Sequence, residues 1–182
     1  MDKLLITIVA IFLIGGGVYF IFQNQKNNLR NNSAPIARIN NFEECAAKYP
    51  VMESYPRQCA TPDGKHFTEN IGNEMEMGEL IKVDSPRPNV KVSSPLTITG
   101  QARGTWYFEA QFPVKIFDAN NNEIGTGIAK ATGDWMTENF VPFTATLEFT
   151  APATATGTLI LKNDNPSGDP TKDKQLIIPI RF

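Results

Sequence analysis

The stretch Thr144-Ala145-Thr146-Leu147-Glu148-Phe149 decides the fold class, because its polar and apolar residues alternate with a period of two. Successive side chains of a β-strand point to opposite faces, so this alternation is typical of a strand that is buried on one face. The pattern returns with Ile and Leu in residues 157–162 and 176–182. The C-terminal part of the chain is therefore predicted to consist of half-buried strands.

Further β-rich runs, each closed by turn residues, fill the rest of residues 80–182. They are residues 80–83, 96–99 and 114–117, with 123–131 as the return strand of a hairpin that turns at 120–122. No segment after residue 80 has a sustained helical period. About seven short strands at this spacing predict an immunoglobulin-like β-sandwich, with a Greek-key barrel as the alternative fold.

Residues 4–22 form an apolar run, LLITIVAIFLIGGGVYFIF, without a charged side chain. At a rise of about 1.5 Å per residue, a helix of this length approximately crosses a hydrocarbon core of about 30 Å. The run is longer than the apolar part of a usual signal peptide, and no small-x-small cleavage site follows Phe22. Residues 1–22 are therefore predicted to be an uncleaved transmembrane anchor, with a cleaved signal peptide as the alternative.

Residues 23–41 are rich in Asn and poor in large apolar side chains, which predicts a flexible stalk. The only two cysteines of the chain follow, Cys45 and Cys59, and in an exported chain such a pair most simply forms a disulfide. Zinc would need two further ligands, and His66 supplies at most one. A disulfide requires an oxidising compartment, which predicts a cytoplasmic N-terminus and an extracytoplasmic C-terminal domain.

Residues 42–69 are predicted to be a small cysteine-paired segment, in which Asp63-Gly64 turns a two-stranded hairpin. Its distinctive positions are Pro50, Val51, Glu53, Tyr55, Pro56, Arg57, Cys59, Asp63, Gly64, Lys65 and Phe67. With these positions the segment resembles a short module of diverse exported bacterial proteins, a resemblance that implies no activity. The acidic residues 70–79 are predicted to be the linker to the domain at 80–182.

The β domain carries a second set of distinctive residues. They are Ser94-Pro95-Leu96, Gly100, residues 102–110, Phe112, Val114, Asp118, Gly133-Asp134-Trp135, Phe143, Gly157-Thr158-Leu159 and Asn165-Pro166-Ser167-Gly168. In these residues and their order, the domain resembles the immunoglobulin-like domain of bacterial spore germination proteins. The resemblance implies a β-sandwich of exported proteins to which no catalytic residues are assigned.

Arg103, Trp106, Tyr107 and Glu109 form the densest cluster of distinctive side chains and are the candidate recognition patch, because Trp, Tyr and Arg are enriched at binding hot spots. Strand periodicity favours the alternative. Positions 106, 108, 110 and 112 would share one face, so that Trp106 and Phe108 fill the core while Arg103 pairs with Glu109.

The loop at residues 163–174 holds Asp164, Asp169 and Asp173, the oxygen ligands that Ca²⁺ prefers. The EF-hand spacing is not met, because Pro166 follows Asp164 at a ligand position and no Glu closes the loop. The sequence therefore favours a turn-rich loop and predicts no metal site and no cofactor.

The remaining features exclude whole classes of function. A net charge of −2 provides no basic patch for nucleic acid, and no motif for nucleophilic, metal or phosphoryl chemistry occurs. The chain is predicted to be a non-enzymatic, membrane-anchored binding or structural module of the bacterial cell envelope. Its predicted partner is an envelope protein or a wall glycan. The alternative is an accessory subunit of a larger membrane complex, in which the helix at 4–22 makes the essential contact.

The prediction for the N-terminus is tested by the intact mass of the protein purified from membranes. We expect a mass that includes residues 1–22, and thiol alkylation of Cys45 and Cys59 only after reduction. A mature chain that begins beyond Phe22 would show that the apolar run is a cleaved signal.

Overall fold

A computed structural model describes residues 38–182, and residues 41–182 form one compact unit. The predicted all-β fold is confirmed in this part of the chain. Its two helices are α1 (Phe42–Ala46) and α2 (Glu74–Met77), and 3₁₀ turns lie at Gly104–Trp106 and Pro170–Lys172. The strands are β1 (Val51–Met52), β2 (Gln58–Ala60), β3 (His66–Thr68), β4 (Ile81–Ser85), β5 (Leu96–Arg103), β6 (Gln111–Asp118), β7 (Glu123–Ala131), β8 (Phe140–Leu147), β9 (Thr156–Lys162) and β10 (Gln175–Arg181).

The cysteine-paired segment is pinned by a disulfide between α1 and β2. Cys45 and Cys59 are fully buried, and their Cα atoms lie 6.0 Å apart, so the predicted disulfide is confirmed. The segment differs from the predicted two-stranded hairpin, because β2 pairs with β1 as well as with β3. The outcome is a three-stranded sheet, in which β1 contributes only two residues.

The other seven strands follow one another in the hydrogen-bonded order β10-β9-β6-β7-β8-β5-β4, all antiparallel. Strand β7 pairs with β6 along most of its length but with β8 only at Lys130 and Ala131. The sheet therefore divides at this point into two halves. Phe112 on β6 contacts Phe143 on β8 edge to face, with 5.0 Å between ring centroids, so the halves pack against each other around one apolar core.

The outer edge of β10 is paired by the linker that precedes the domain. The Asn73 side chain accepts from the Ile177 N–H at 2.7 Å and donates to the Gln175 carbonyl at 3.0 Å, while the Asn73 N–H donates to the Ile177 carbonyl at 3.3 Å. An open strand edge is a template for pairing with other chains. Asn73 therefore acts as a short substitute for a neighbouring strand.

Residues 89–92 continue this cover along the same edge. The Asn89 N–H donates to the Pro179 carbonyl at 2.7 Å, Arg181 N–H donates to the Val90 carbonyl at 3.1 Å, and Val92 N–H donates to the Arg181 carbonyl at 2.9 Å. Pro179 has no N–H, so its place on the edge needs no acceptor. The chain itself thus pairs the Gln175 and Pro179 carbonyls and both main-chain groups of Ile177 and Arg181 on this edge.

The Glu69 carboxylate joins the cysteine-paired segment to residues 89–92, because it accepts from Asn89 as well as from Arg57 of its own segment. Arg57 donates from two nitrogens to the Glu69 carboxylate, at 2.6 and 2.8 Å, and the Glu69 side chain is only 6% exposed. The Asn89 amide donates to Glu69 at 3.2 Å and to the Asn70 carbonyl at 2.8 Å. The hydrogen bonds from Arg57 and Asn89 hold the pKa of Glu69 below its ordinary value, although burial acts in the opposite direction.

No helix within residues 38–182 has the length and apolar character needed to cross a membrane. The predicted anchor at 4–22, and the stalk as far as residue 37, lie outside the described residues.

The docking of the linker predicts a large effect of Gly72→Ala. Gly72 has a φ of +69°, and a Cβ there would lie 1.8 Å from the Ile177 carbonyl oxygen. We expect the substitution to lower the free energy of unfolding by about 3 kcal/mol, measured by urea denaturation of the full chain in detergent. Gly64→Ala is the matched control, because Gly64 also has a positive φ (+86°) but no atom within 4 Å of the added Cβ. It should cost only the backbone strain of about 1 kcal/mol. Equal effects would contradict the proposed close contact.

The Arg57–Glu69 pair predicts a pH-dependent stability difference. Because the pKa of Glu69 is lowered in the folded state, its contribution is complete above the unfolded pKa and is lost as the pH falls through the folded pKa. Glu69→Gln should therefore be less stable than the native chain by about 2 kcal/mol at pH 7, and the difference should shrink in acid.

The exposed Glu148→Gln provides the control of equal charge change and should have little effect at any pH. Denaturant titrations at several pH values measure both variants. A Glu69→Gln difference that stays constant into acid would overturn the prediction.

Candidate functional site

A sharp corner of the chain between β5 and β6 carries most of the predicted recognition patch. The strand β5 ends at Arg103, and a 3₁₀ turn follows at Gly104–Trp106. A Cβ on Gly104 would lie 1.9 Å from the Thr137 carbonyl oxygen, so only glycine permits the neighbouring backbone to pass this closely. The chain then reverses in a tight turn whose central residues, Glu109 and Ala110, have φ values of +51° and +63°.

This turn corrects the expectation that positions 106, 108, 110 and 112 share one strand face. Phe108 and Gln111 exchange main-chain hydrogen bonds at 3.0 and 3.1 Å across the turn, and the residues between them are not extended. As a result, Trp106 is buried in the core, with only 2% exposed, but Phe108 is 39% exposed. Phe108 was therefore wrongly predicted to be a core residue.

Tyr107 is also buried and is fixed from both ends. Its ring packs against Phe112 with 5.3 Å between centroids, and its hydroxyl donates to the Val141 carbonyl at 2.6 Å. Burial raises the pKa of Tyr107 to about 12. The hydroxyl is thus a neutral donor that ties the corner to β8.

The two charged members of the predicted patch have separate surroundings. Arg103 donates to the Glu79 carbonyl at 3.0 Å and to the Glu138 carbonyl at 3.2 Å, and its guanidinium lies 4.2 Å from the centroid of the Phe140 ring. Its ion pair is with Glu79, at 3.9 Å, instead of the expected pair with Glu109. Arg103 therefore braces the corner from outside, while Glu109 lies exposed on the tight turn.

The loop at 163–174 lies against the corner and is held by its own hydrogen bonds. The Asn163 side chain accepts from the Lys174 N–H at 2.7 Å and donates to the Lys172 carbonyl at 3.1 Å. The Asp164 N–H donates to the Trp106 carbonyl at 3.0 Å, which joins the loop to the corner. These hydrogen bonds therefore hold the loop in a fixed position beside the corner.

The corner and the loop enclose a groove of about 500 Å³. One wall is formed by Leu80 and residues 105–108, and the other by residues 163–166 with Thr171, Lys172 and Lys174. The indole Nε1 of Trp106 is buried and has no hydrogen-bond partner among the described residues. An unpaired buried donor costs about 1–3 kcal/mol, which makes it an informative exception in a folded domain. Of the predicted patch, Trp106 and Tyr107 line this groove, while Arg103 and Glu109 do not.

The acidic residues of the loop have structural partners. Asp169 caps the 3₁₀ turn at Pro170–Lys172 by accepting from the Thr171 N–H, and Asp173 accepts from Lys162 and Asn165, both at 2.9 Å. Within residues 38–182, no group of three or more His, Cys, Asp or Glu side chains is arranged to hold a metal ion.

A second, smaller cavity of about 260 Å³ lies beside β4. Glu74 lines it and accepts hydrogen bonds from Arg87, at 3.2 Å, and from the Tyr55 hydroxyl. Arg87 also donates to the Val83 carbonyl at 2.8 Å. Burial raises the pKa of Glu74. These contacts fasten α2 and the cysteine-paired segment to β4, which makes this cavity part of a junction.

Comparison with known families agrees with the fold. Residues 80–169 match the family model described as the immunoglobulin-like domain of bacterial spore germination, which confirms the resemblance for this region. No curated protein and no solved structure matches the chain.

Proposed function

We propose that the chain is a membrane-anchored binding module of the cell envelope, displayed outside the membrane and without catalysis. The match of residues 80–169 to the immunoglobulin-like domain of bacterial spore germination supports this proposal. A fold does not by itself assign a function, so the proposal depends on the site. The observation that carries it is the preformed groove of about 500 Å³ between the β5–β6 corner and the loop at 163–174.

The groove has properties that suit recognition. It is formed by two segments that are held by hydrogen bonds, so little ordering is needed when a ligand enters. Phe108 offers a large, partly exposed aromatic surface on the wall of the groove.

The location in the envelope is supported by the disulfide and by the apolar run at 4–22. Buried disulfides persist in oxidising compartments, and this one pins a segment with a small core of its own. The absence of a catalytic motif from the sequence supports a binding role over chemistry.

A photo-crosslinking amino acid placed at position 108 tests the proposal in cells that produce the full chain. We expect it to capture an envelope component, because Phe108 lines the groove and is partly exposed. Position 128 is the matched control, since Ile128 on β7 is 44% exposed, similar to Phe108, and is not among the residues that line the groove. Equal capture at both positions, or none at 108, would contradict a binding role for the groove.

Exchange of residues 4–22 for an unrelated transmembrane helix separates this proposal from the accessory-subunit alternative. A binding module should keep its crosslink at position 108 after the exchange. Loss of the crosslink while the protein remains in the membrane would favour the alternative, in which the helix makes the essential contact.

A further inference from the structure

We propose that ionisation of the Glu74 carboxyl is a switch that controls how α2 is held between the two edge strands of the seven-stranded sheet. The helix is held firmly when the carboxyl is neutral and loosely when it is ionised. The cavity beside Glu74 shares no lining residue with the groove at the β5–β6 corner. The switch is therefore a property of the fold that goes beyond the proposed binding role.

Glu74 lies in the gap between the two edge strands of the sheet. The cavity of about 260 Å³ is lined by Ile81 and Val83 of β4 and by Leu176 of β10, the strands at opposite ends of the hydrogen-bonded order. The preceding residue, Asn73, bonds to the main chain of β10, while Glu74 lines the cavity itself. A change at this carboxyl therefore acts where the linker meets both edges.

The two oxygens of the Glu74 carboxyl have different surroundings. Oε2 accepts from the Tyr55 hydroxyl and from Arg87 at 3.2 Å, but Oε1 is buried and has no partner among the described residues. The Glu74 side chain is 10% exposed, whereas the Arg87 side chain is 47% exposed and also donates to the Val83 carbonyl at 2.8 Å. An ionised carboxylate needs more hydrogen bonds than a neutral carboxyl to offset its loss of water, so this site favours the neutral form.

The other charges near Glu74 do not compensate for its burial. Lys82 and Asp84 of β4 line the cavity with opposite charges, and both residues are exposed, so water screens them. Glu76 lies on the same helix and adds an exposed negative charge. Burial therefore outweighs the attraction of Arg87, and the pKa of Glu74 is raised above its ordinary value.

The raised pKa determines the direction of the switch. Below the ordinary pKa the carboxyl is neutral whether α2 is docked or released, so it does not weaken docking. Docking weakens as the pH rises from the ordinary pKa to the raised one, because the carboxyl ionises more easily in the released state. Release of Asn73 together with α2 uncovers the Gln175 carbonyl and the main-chain groups of Ile177, so a rising pH opens this stretch of the β10 edge.

Hydrogen exchange of the Ile177 amide measures the docking of α2, because this N–H donates to the Asn73 side chain at 2.7 Å. Exchange is followed by NMR on the full chain in detergent between about pH 4 and pH 8, with rates corrected for the intrinsic effect of pH. We expect the protection of Ile177 to fall as the pH rises through the raised pKa of Glu74.

Two substitutions identify the responsible carboxyl. Glu74→Gln keeps the size of the side chain but cannot ionise, so the fall in protection with rising pH should be lost. Glu76→Gln, at an exposed position of the same helix, is the matched control and should keep the fall. Glu69 cannot produce the same result, because its pKa is lowered and its contribution is lost towards acid instead.

The carboxyl carbon resonance of Glu74 provides a second measurement that needs no variant. Its titration midpoint in the native chain should lie above the ordinary value of a glutamate. A midpoint at or below that value would overturn the inference even if Glu74→Gln does not fold. Protection of Ile177 that stays constant with pH, or that falls equally in the native chain and in Glu74→Gln, would also overturn it.

Discussion

The rest of the structure depends on how the outer edge of β10 is paired. An exposed edge presents unpaired N–H and C=O groups, and here the Asn73 side chain and residues 89–92 meet them. The same contacts place the cysteine-paired segment against the domain, because Asn89 also donates to Glu69 and Asn70. One set of hydrogen bonds thus covers one edge of the sheet and joins the two parts that the sequence predicts as separate.

Local sequence patterns were sufficient to predict the existence of the seven strands of the domain and the disulfide. The alternation in residues 144–149 reflects β8, where Ala145 and Leu147 point into the core. The first half of β8, residues 140–143, was not predicted because Pro142 interrupts the alternation. The structure explains this exception: the Pro142 carbonyl accepts from the Thr132 N–H where the ladder with β7 ends, so the missing N–H of proline has little effect.

The groove could not be predicted from the same patterns, because it depends on contacts between distant segments. Glu109 and Ala110 adopt positive φ, which their residue types do not indicate, and this turn moves Phe108 from the core to the surface. The opposite wall comes from residues 163–174, which only the folded sheet brings beside Trp106. Gly104 was the available signal, since a glycine before an aromatic run can mark a close approach of two backbones.

The position of the partners of Asn73 also constrains the order in which the molecule assembles. They lie 102 and 104 residues further along the chain, whereas the disulfide closes a loop of only 14 positions. Short loops close at a lower entropic cost, so the disulfide segment is able to form before the strands beyond it have paired. Its attachment must wait until β10 is in place. Strand β10 thereby fixes the linker to the sheet. A chain interrupted before β10 would keep its disulfide but leave the linker unattached.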